Sequence, residues 1–141
     1  MLKIVLDTDV MFAAFQSDQG ASRRLLLMIL EGDAQLLLSA TLMIEYEAVL
    51  TRPLNLKKFG INTGDVLAVL DELAGICVPV AFDYRWRPGA KDPDDDLVLE
   101  TAINGGADVI ASFNIADMAL GAAPFGVAVE RPVNVLRRLR S

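Results

Sequence analysis

Apolar positions in this chain come in blocks separated by acids, glycines and prolines, and the blocks alternate between two lengths. Leu2–Leu6 is a nearly continuous apolar run that ends in Asp7, the pattern of a strand buried on both faces of a parallel sheet. Ala21–Glu31 has helical spacing and stops at Gly32, and Gln35–Leu38 is a short strand. Ser39 or Thr41 then caps a helix that runs to about Arg52 and is broken by Pro53. Asn62-Thr63-Gly64-Asp65 opens a helix through Gly75, and Cys77–Val80 reads as a third strand. After a loop of Arg, Pro and Gly, Asp92-Pro93 starts a helix ending near Gly105-Gly106. Asp108–Ala111 and Val127–Val129 are the fourth and fifth strands, before a basic terminal helix. Strands alternating with helices of this length predict a three-layer α/β fold, a parallel sheet of about five strands with helices on both faces. Sites in such sheets form at the carboxyl ends of the strands. Asp7 and Asp9 follow the first strand there, residues Ser112 to Asp117 follow the fourth, and the helix after Ser39 starts at the same edge.

Composition narrows the chemistry. At 141 residues the chain is expected to form one domain over 1–141, and 53% hydrophobic against 23% charged residues excludes disorder. Met1-Leu2-Lys3 runs straight into a strand without a basic leader, and no apolar run approaches the ~20 residues of a membrane span. A soluble cytoplasmic protein is the expectation, with Cys77, inside the apolar run Ile76-Cys77-Val78, a reduced core residue. There is no histidine. That removes a Ser-His-Asp triad, a Cys-His pair, an imidazole base and a His-ligated zinc. Carboxylate oxygen remains, and clustered carboxylates suit a hard divalent cation, Mg²⁺ or Mn²⁺, acting on phosphate oxygens. The formal charge of −6 opposes a nucleic-acid substrate, although acids that hold a cation reverse the local field. Basic residues also cluster, at Arg23-Arg24, Lys57-Lys58, Arg85/Arg87/Lys91 and Arg137-Arg138/Arg140. In the third of these groups Trp86 stands between Arg85 and Arg87 and could stack on a base, or equally cover the edge of the core.

Each acid has a plain structural role to set beside the chemical one. Asp7 ends an apolar strand, where a carboxylate is costly unless paired or metal-bound, yet a helix N-cap also wants Asp. Asp7 and Asp9 together exceed what one cap needs. In the run Lys91-Asp92-Pro93-Asp94-Asp95-Asp96, Asp92 and Pro93 fit N-cap and first helical position, and acids in a first turn complement the helix dipole. At about 100° per residue Asp95 shares a face with Val98, Leu99 and Ala102, whereas Asp94 and Asp96 turn away. An acid on the core-facing stripe needs a partner, so Asp95 is the ligand candidate of this run. Glu45 and Glu47 flank the apolar face of Leu42, Met43, Tyr46, Val49 and Leu50 at equal angles, and periodicity does not choose between them. Asn114 and Asp117 follow the fourth strand, with Asp117 equally readable as a cap or a surface acid.

Taken together these segments resemble the PIN-domain nucleases. Ile4-Val5-Leu6-Asp7-Thr8-Asp9-Val10 is similar to that family's opening motif, and Ser39 through Glu45-Tyr46 to Val49-Leu50 to its second. Lys91 to Asp96 with Leu99-Glu100-Thr101-Ala102 resembles the third motif, and Ala107 to Asn114 with Asp117 the fourth. The resemblance selects Glu45 over Glu47 and puts the invariant third acid on Asp95. It implies a sheet ordered 3-2-1-4-5 and an Mg²⁺- or Mn²⁺-dependent ribonuclease in which Asp7, Glu45 and Asp95 are catalytic metal ligands. Asp9, Asn114 and Asp117 would support them, and Arg85, Trp86 and Arg87 would contact substrate. Small members of this kind are mostly toxins of toxin–antitoxin pairs (VapC-like), homodimers silenced by a small antitoxin. Asp9 stands where Asn or Ser is often found, and Asn114 where many members carry an acid.

Two rival readings have distinct consequences. In a haloacid-dehalogenase-like phosphatase, Asp7 would be the nucleophile, Asp9 the acid/base, Ser39 the phosphate binder and Lys57 or Lys58 the clamp. In a degenerate PIN fold kept as a binding or regulatory protein, Asn114 would mark a lost ligand.

Overall fold

The computed structural model describes residues 1–82 and 93–140, with residues 93–96 described in backbone alone. The chain opens with β1 (Lys3–Leu6), α1 (Thr8–Gln16), α2 (Ala21–Leu30), β2 (Gln35–Leu38) and α3 (Ala40–Leu50). It continues with α4 (Pro53–Phe59), α5 (Thr63–Ile76), β3 (Val78–Pro79), α6 (Pro93–Gly105) and β4 (Val109–Ala111). α7 (Ile115–Ala122), a 3₁₀ turn at Ala123–Phe125, β5 (Ala128–Glu130) and α8 (Pro132–Arg140) complete it. The five strands form a parallel sheet in the order β3-β2-β1-β4-β5.

β1 and β4 form the centre of that sheet and are its most apolar strands: Ile4, Val5 and Leu6 are fully buried, as are Val109, Ile110 and Ala111. Leu6 pairs with Ala111, so the two strands end level. α6 packs across β1, β2 and β4, with Val98, Leu99 and Ala102 fully buried. Its last turn comes so close to the sheet that a Cβ on Gly105 would meet Val80 Cγ2 at 2.8 Å and Leu37 Cδ1 at 2.9 Å.

Several expectations change at their edges. Of the two capping candidates for α3 it is Ser39, whose hydroxyl accepts from Leu42 N. Pro53 does end that helix, but as the first residue of α4, where its missing N–H costs nothing. α7 occupies ground the apolar pattern left open. The third strand shrinks to Val78–Pro79, both exposed, at the edge of the sheet. Cys77 is the C-cap of α5 and half-buried instead of a core residue, with its thiol pKa raised by that burial.

Candidate active site

In this strand order the chain leaves β1 toward β2 on one side and returns to β4 on the other. The crevice between the carboxyl ends of β1 and β4 is therefore the topological switch point, where open α/β sheets hold ligands. Asp7 lies on one side of it and Ser112 on the other.

Asp7 is the N-cap of α1 and only 6% exposed. Its backbone N–H donates to Ala111 O at 2.9 Å, tying the turn to β4. One carboxyl oxygen accepts from Thr8 N at 2.7 Å and the other from the buried Ser112 hydroxyl at 2.6 Å. Ser112 Oγ in turn accepts from Asn114 N at 2.9 Å. Burial first and the negative charge of Asp9 second push the Asp7 carboxyl up from 3.8 to about 6, against the lowering effect of the two donors. A plain capping acid would be stabilised as the anion. Asp7 is held in the opposite condition. Asp9 stands one helical position further on and accepts from Phe113 N at 3.1 Å. The Thr8 hydroxyl between them is buried and has no hydrogen-bond partner among the described residues.

α3 approaches the same edge through Tyr46, which is fully buried and donates its hydroxyl to Leu6 O, the carbonyl just before Asp7. Burial, with the charge of Asp7 second, raises the Tyr46 phenol well above its usual value, so it stays a neutral donor. Glu45 is half-buried on this helix while Glu47 is exposed, an asymmetry that periodicity did not predict. The helix start is bonded to α6 through Ser39 Oγ and Thr101 Oγ1, 2.7 Å apart, with Thr101 donating to Leu97 O. Asn114 is the N-cap residue of α7 without a side-chain capping bond, and Asp117 is half-buried in that helix's first turn.

Asp95 belongs to the first turns of α6, and the residues three, four and seven places on are fully buried. Its side chain lies outside the described residues, as do Arg85, Trp86 and Arg87 entirely. Among the described residues no three carboxylates converge as a metal cage. What is described fits a hard cation in kind: Asp7 and Asp9 crowd two carboxylates at one helix start, and the donors around them are oxygen. Sequence reasoning did not single out Ser112 or Tyr46. The only local signal was a polar residue ending the fourth strand and a tyrosine on an apolar stripe.

Fold and site define a parallel-sheet α/β protein with an acidic pair at its switch point, Asp7 buried and Asp9 half-buried. The PIN domain model matches residues 3–116, and the chain belongs to that family, whose members are in general nucleases. The chain is also similar to the solved structure of FitAcB from Neisseria gonorrhoeae, at 23% identity and a TM-score of 0.58, over 92% of this chain and 98% of that one. No match is found among curated protein sequences. With the family assigned, the phosphatase reading falls away. Its details fail too: the Ser39 hydroxyl is engaged by Leu42 N and Thr101, and Lys58 sits over the Phe12 ring, 5.8 Å from its centroid.

Proposed function

We propose that the protein is a metal-dependent endoribonuclease, the toxin of a toxin–antitoxin pair, acting in the cytoplasm as a homodimer and silenced by a small antitoxin. The observation that carries the reading is Asp7: a carboxylate kept beside another, in a place that penalises its charge, at the switch point of a PIN fold. Such an arrangement costs stability and is retained where a cation or a reaction uses it. Asp7, Glu45 and Asp95 are the proposed catalytic ligands of Mg²⁺ or Mn²⁺, with Asp9, Asn114 and Asp117 in support, and Arg85, Trp86 and Arg87 on the substrate.

A divalent cation supplies a water of lowered pKa and neutralises charge growing on the phosphate. The chain's own part is to fix the oxygens. Ser112 and the Thr8 amide hold Asp7 in one orientation, and the Phe113 amide holds Asp9. Hydrolysis at the phosphodiester leaves a 3′-hydroxyl and a 5′-phosphate. No helix among the described residues is long and apolar enough to cross a membrane.

The test is cleavage of single-stranded and structured RNA by the purified protein. Activity is expected with Mg²⁺ or Mn²⁺ and none in excess EDTA. Undiminished cleavage in EDTA would overturn the mechanism, since no side chain here replaces an imidazole base. No cleavage of any RNA with Mn²⁺ would favour the binding-module reading, in which Asn114 marks a lost acid.

A further inference from the structure

A cleft of about 260 Å³ lies beside the acidic pair, walled by the end of α1, the start of α2, Phe113 and the start of α8. It shares α1 and Phe113 with the site. Asp9 and Ala13 stand four residues apart on one face of α1, and Ala13 and the C-cap Ser17 line the cleft. Four residues advance a helix by about 6 Å, comparable to the reach of one nucleotide. Phe113 joins the two regions: its amide holds Asp9 while its side chain is left 47% exposed at the cleft wall. A large apolar ring beside carboxylates gains nothing from water and offers a stacking face.

The cleft also carries groups suited to an anion. α2 begins there at Gly20 with no side-chain cap, so its first amides are not satisfied by a side chain. Ser22, in that first turn, is only 4% exposed, lines the cleft and makes no hydrogen bond among the described residues. The rest of that side chain is buried, so a hydroxyl at the cleft lining is free to donate to an incoming oxygen. Arg131 also lines the cleft, exposed and outside the one ion pair found among the described residues, Arg138 with Glu130.

We infer that this cleft is a subsite for the nucleotide next to the scissile bond, with its base stacked on Phe113 and its phosphate between Arg131, Ser22 and the start of α2. The inference rests on the proposed RNA substrate and adds where the strand runs. The subsite selects single-stranded RNA, because a base must leave its helix to stack on Phe113.

The test uses the Asp7→Asn protein, in which the reading removes cleavage, titrated with a short fluorescent single-stranded RNA. Adding Phe113→Ala should weaken binding about tenfold and Phe113→Tyr should restore it, as for loss and return of one stacked base. Adding Arg131→Gln should weaken binding and lower the salt slope by about one phosphate contact. Ser22→Ala should weaken binding by about threefold, the scale of one neutral hydrogen bond. Unchanged binding in both Phe113→Ala and Arg131→Gln overturns the subsite, and so does a parent protein that binds no RNA. Cleavage by the wild type judges the nuclease reading separately: a wild type that cleaves, with binding indifferent to Phe113 and Arg131, sinks the subsite alone.

Discussion

Replacing Asp7 with Asn should make the metal-free protein more stable at neutral pH and less stable in acid. The unfolded carboxyl titrates near 3.8 and the native one at about 6, so between those values the folded protein binds more protons. Stability must then fall as pH rises through that window, by about 3 kcal/mol once the pH is above the native value. Asn carries no charge to desolvate and escapes this penalty. It can still accept from Thr8 N, but its amide would face a Ser112 hydroxyl that has lost its acceptor. That mismatch costs about 2 kcal/mol. The variant should therefore lead by about 1 kcal/mol near pH 8 and trail by about 1 kcal/mol near pH 4. Urea unfolding in EDTA at the two pH values measures both differences. Under the proposed function, Mn²⁺ should raise the melting temperature of the wild type and much less that of the variant, because ligand bound only by the native state stabilises it. An Asn variant that is equally destabilised at both pH values, with an unchanged response to Mn²⁺, would show Asp7 to be a structural cap.

Other substitutions probe the surrounding parts. Tyr46→Phe leaves the buried Leu6 carbonyl without its donor and should cost about 1–3 kcal/mol in urea unfolding. Ser112→Ala removes a donor to the ionised Asp7, so its cost, about 2 kcal/mol, should be larger near pH 8 than near pH 4 in the same assay. In RNA cleavage, Asp95→Asn is expected to abolish activity while Asp94→Asn and Asp96→Asn keep most of it; equal losses would make the run a diffuse charge. Asn62→Ala breaks the reciprocal cap of Asn62 and Asp65 and should lower stability by about 1 kcal/mol without changing cleavage.

The sheet was largely legible because its central strands are nearly unbroken apolar runs that stop at a polar residue, as Leu6 does before Asp7. Gly32 and the Asn62-to-Asp65 box mark their helix ends by local chemistry, and such signals survive folding. Pro53 marked the end of α3 correctly but hid the start of α4, because a proline ends one helix and begins another by the same geometry, and only the following residues decide. The run around Cys77 misled differently: apolar sequence predicts a strand but not its depth, and β3 lies at the sheet edge, where Val78 is exposed. In the site, the acid at the end of β1 was readable from the cost of its position. Glu45 and Glu47 were not separable, since their difference comes from what α3 packs against. Ser112 and Tyr46 are partners of residues 105 and 40 positions away, a kind of relation no local pattern carries.

The bond from Tyr46 to the Leu6 carbonyl has a consequence for rigidity. Glu45 precedes one partner and Asp7 follows the other, so two proposed ligands from distant parts of the chain are each one residue from a single buried bond. Their separation is thus set by the core and cannot drift with loop motion; it changes only if the centre of the sheet opens. Under the proposed function, two of the metal ligands would be in place before any metal arrives. In hydrogen exchange the amides about Leu6 and Tyr46 should open only with global unfolding, metal or no metal. Mn²⁺ would leave its mark as added protection elsewhere, in the first turns of α6 that carry Asp95.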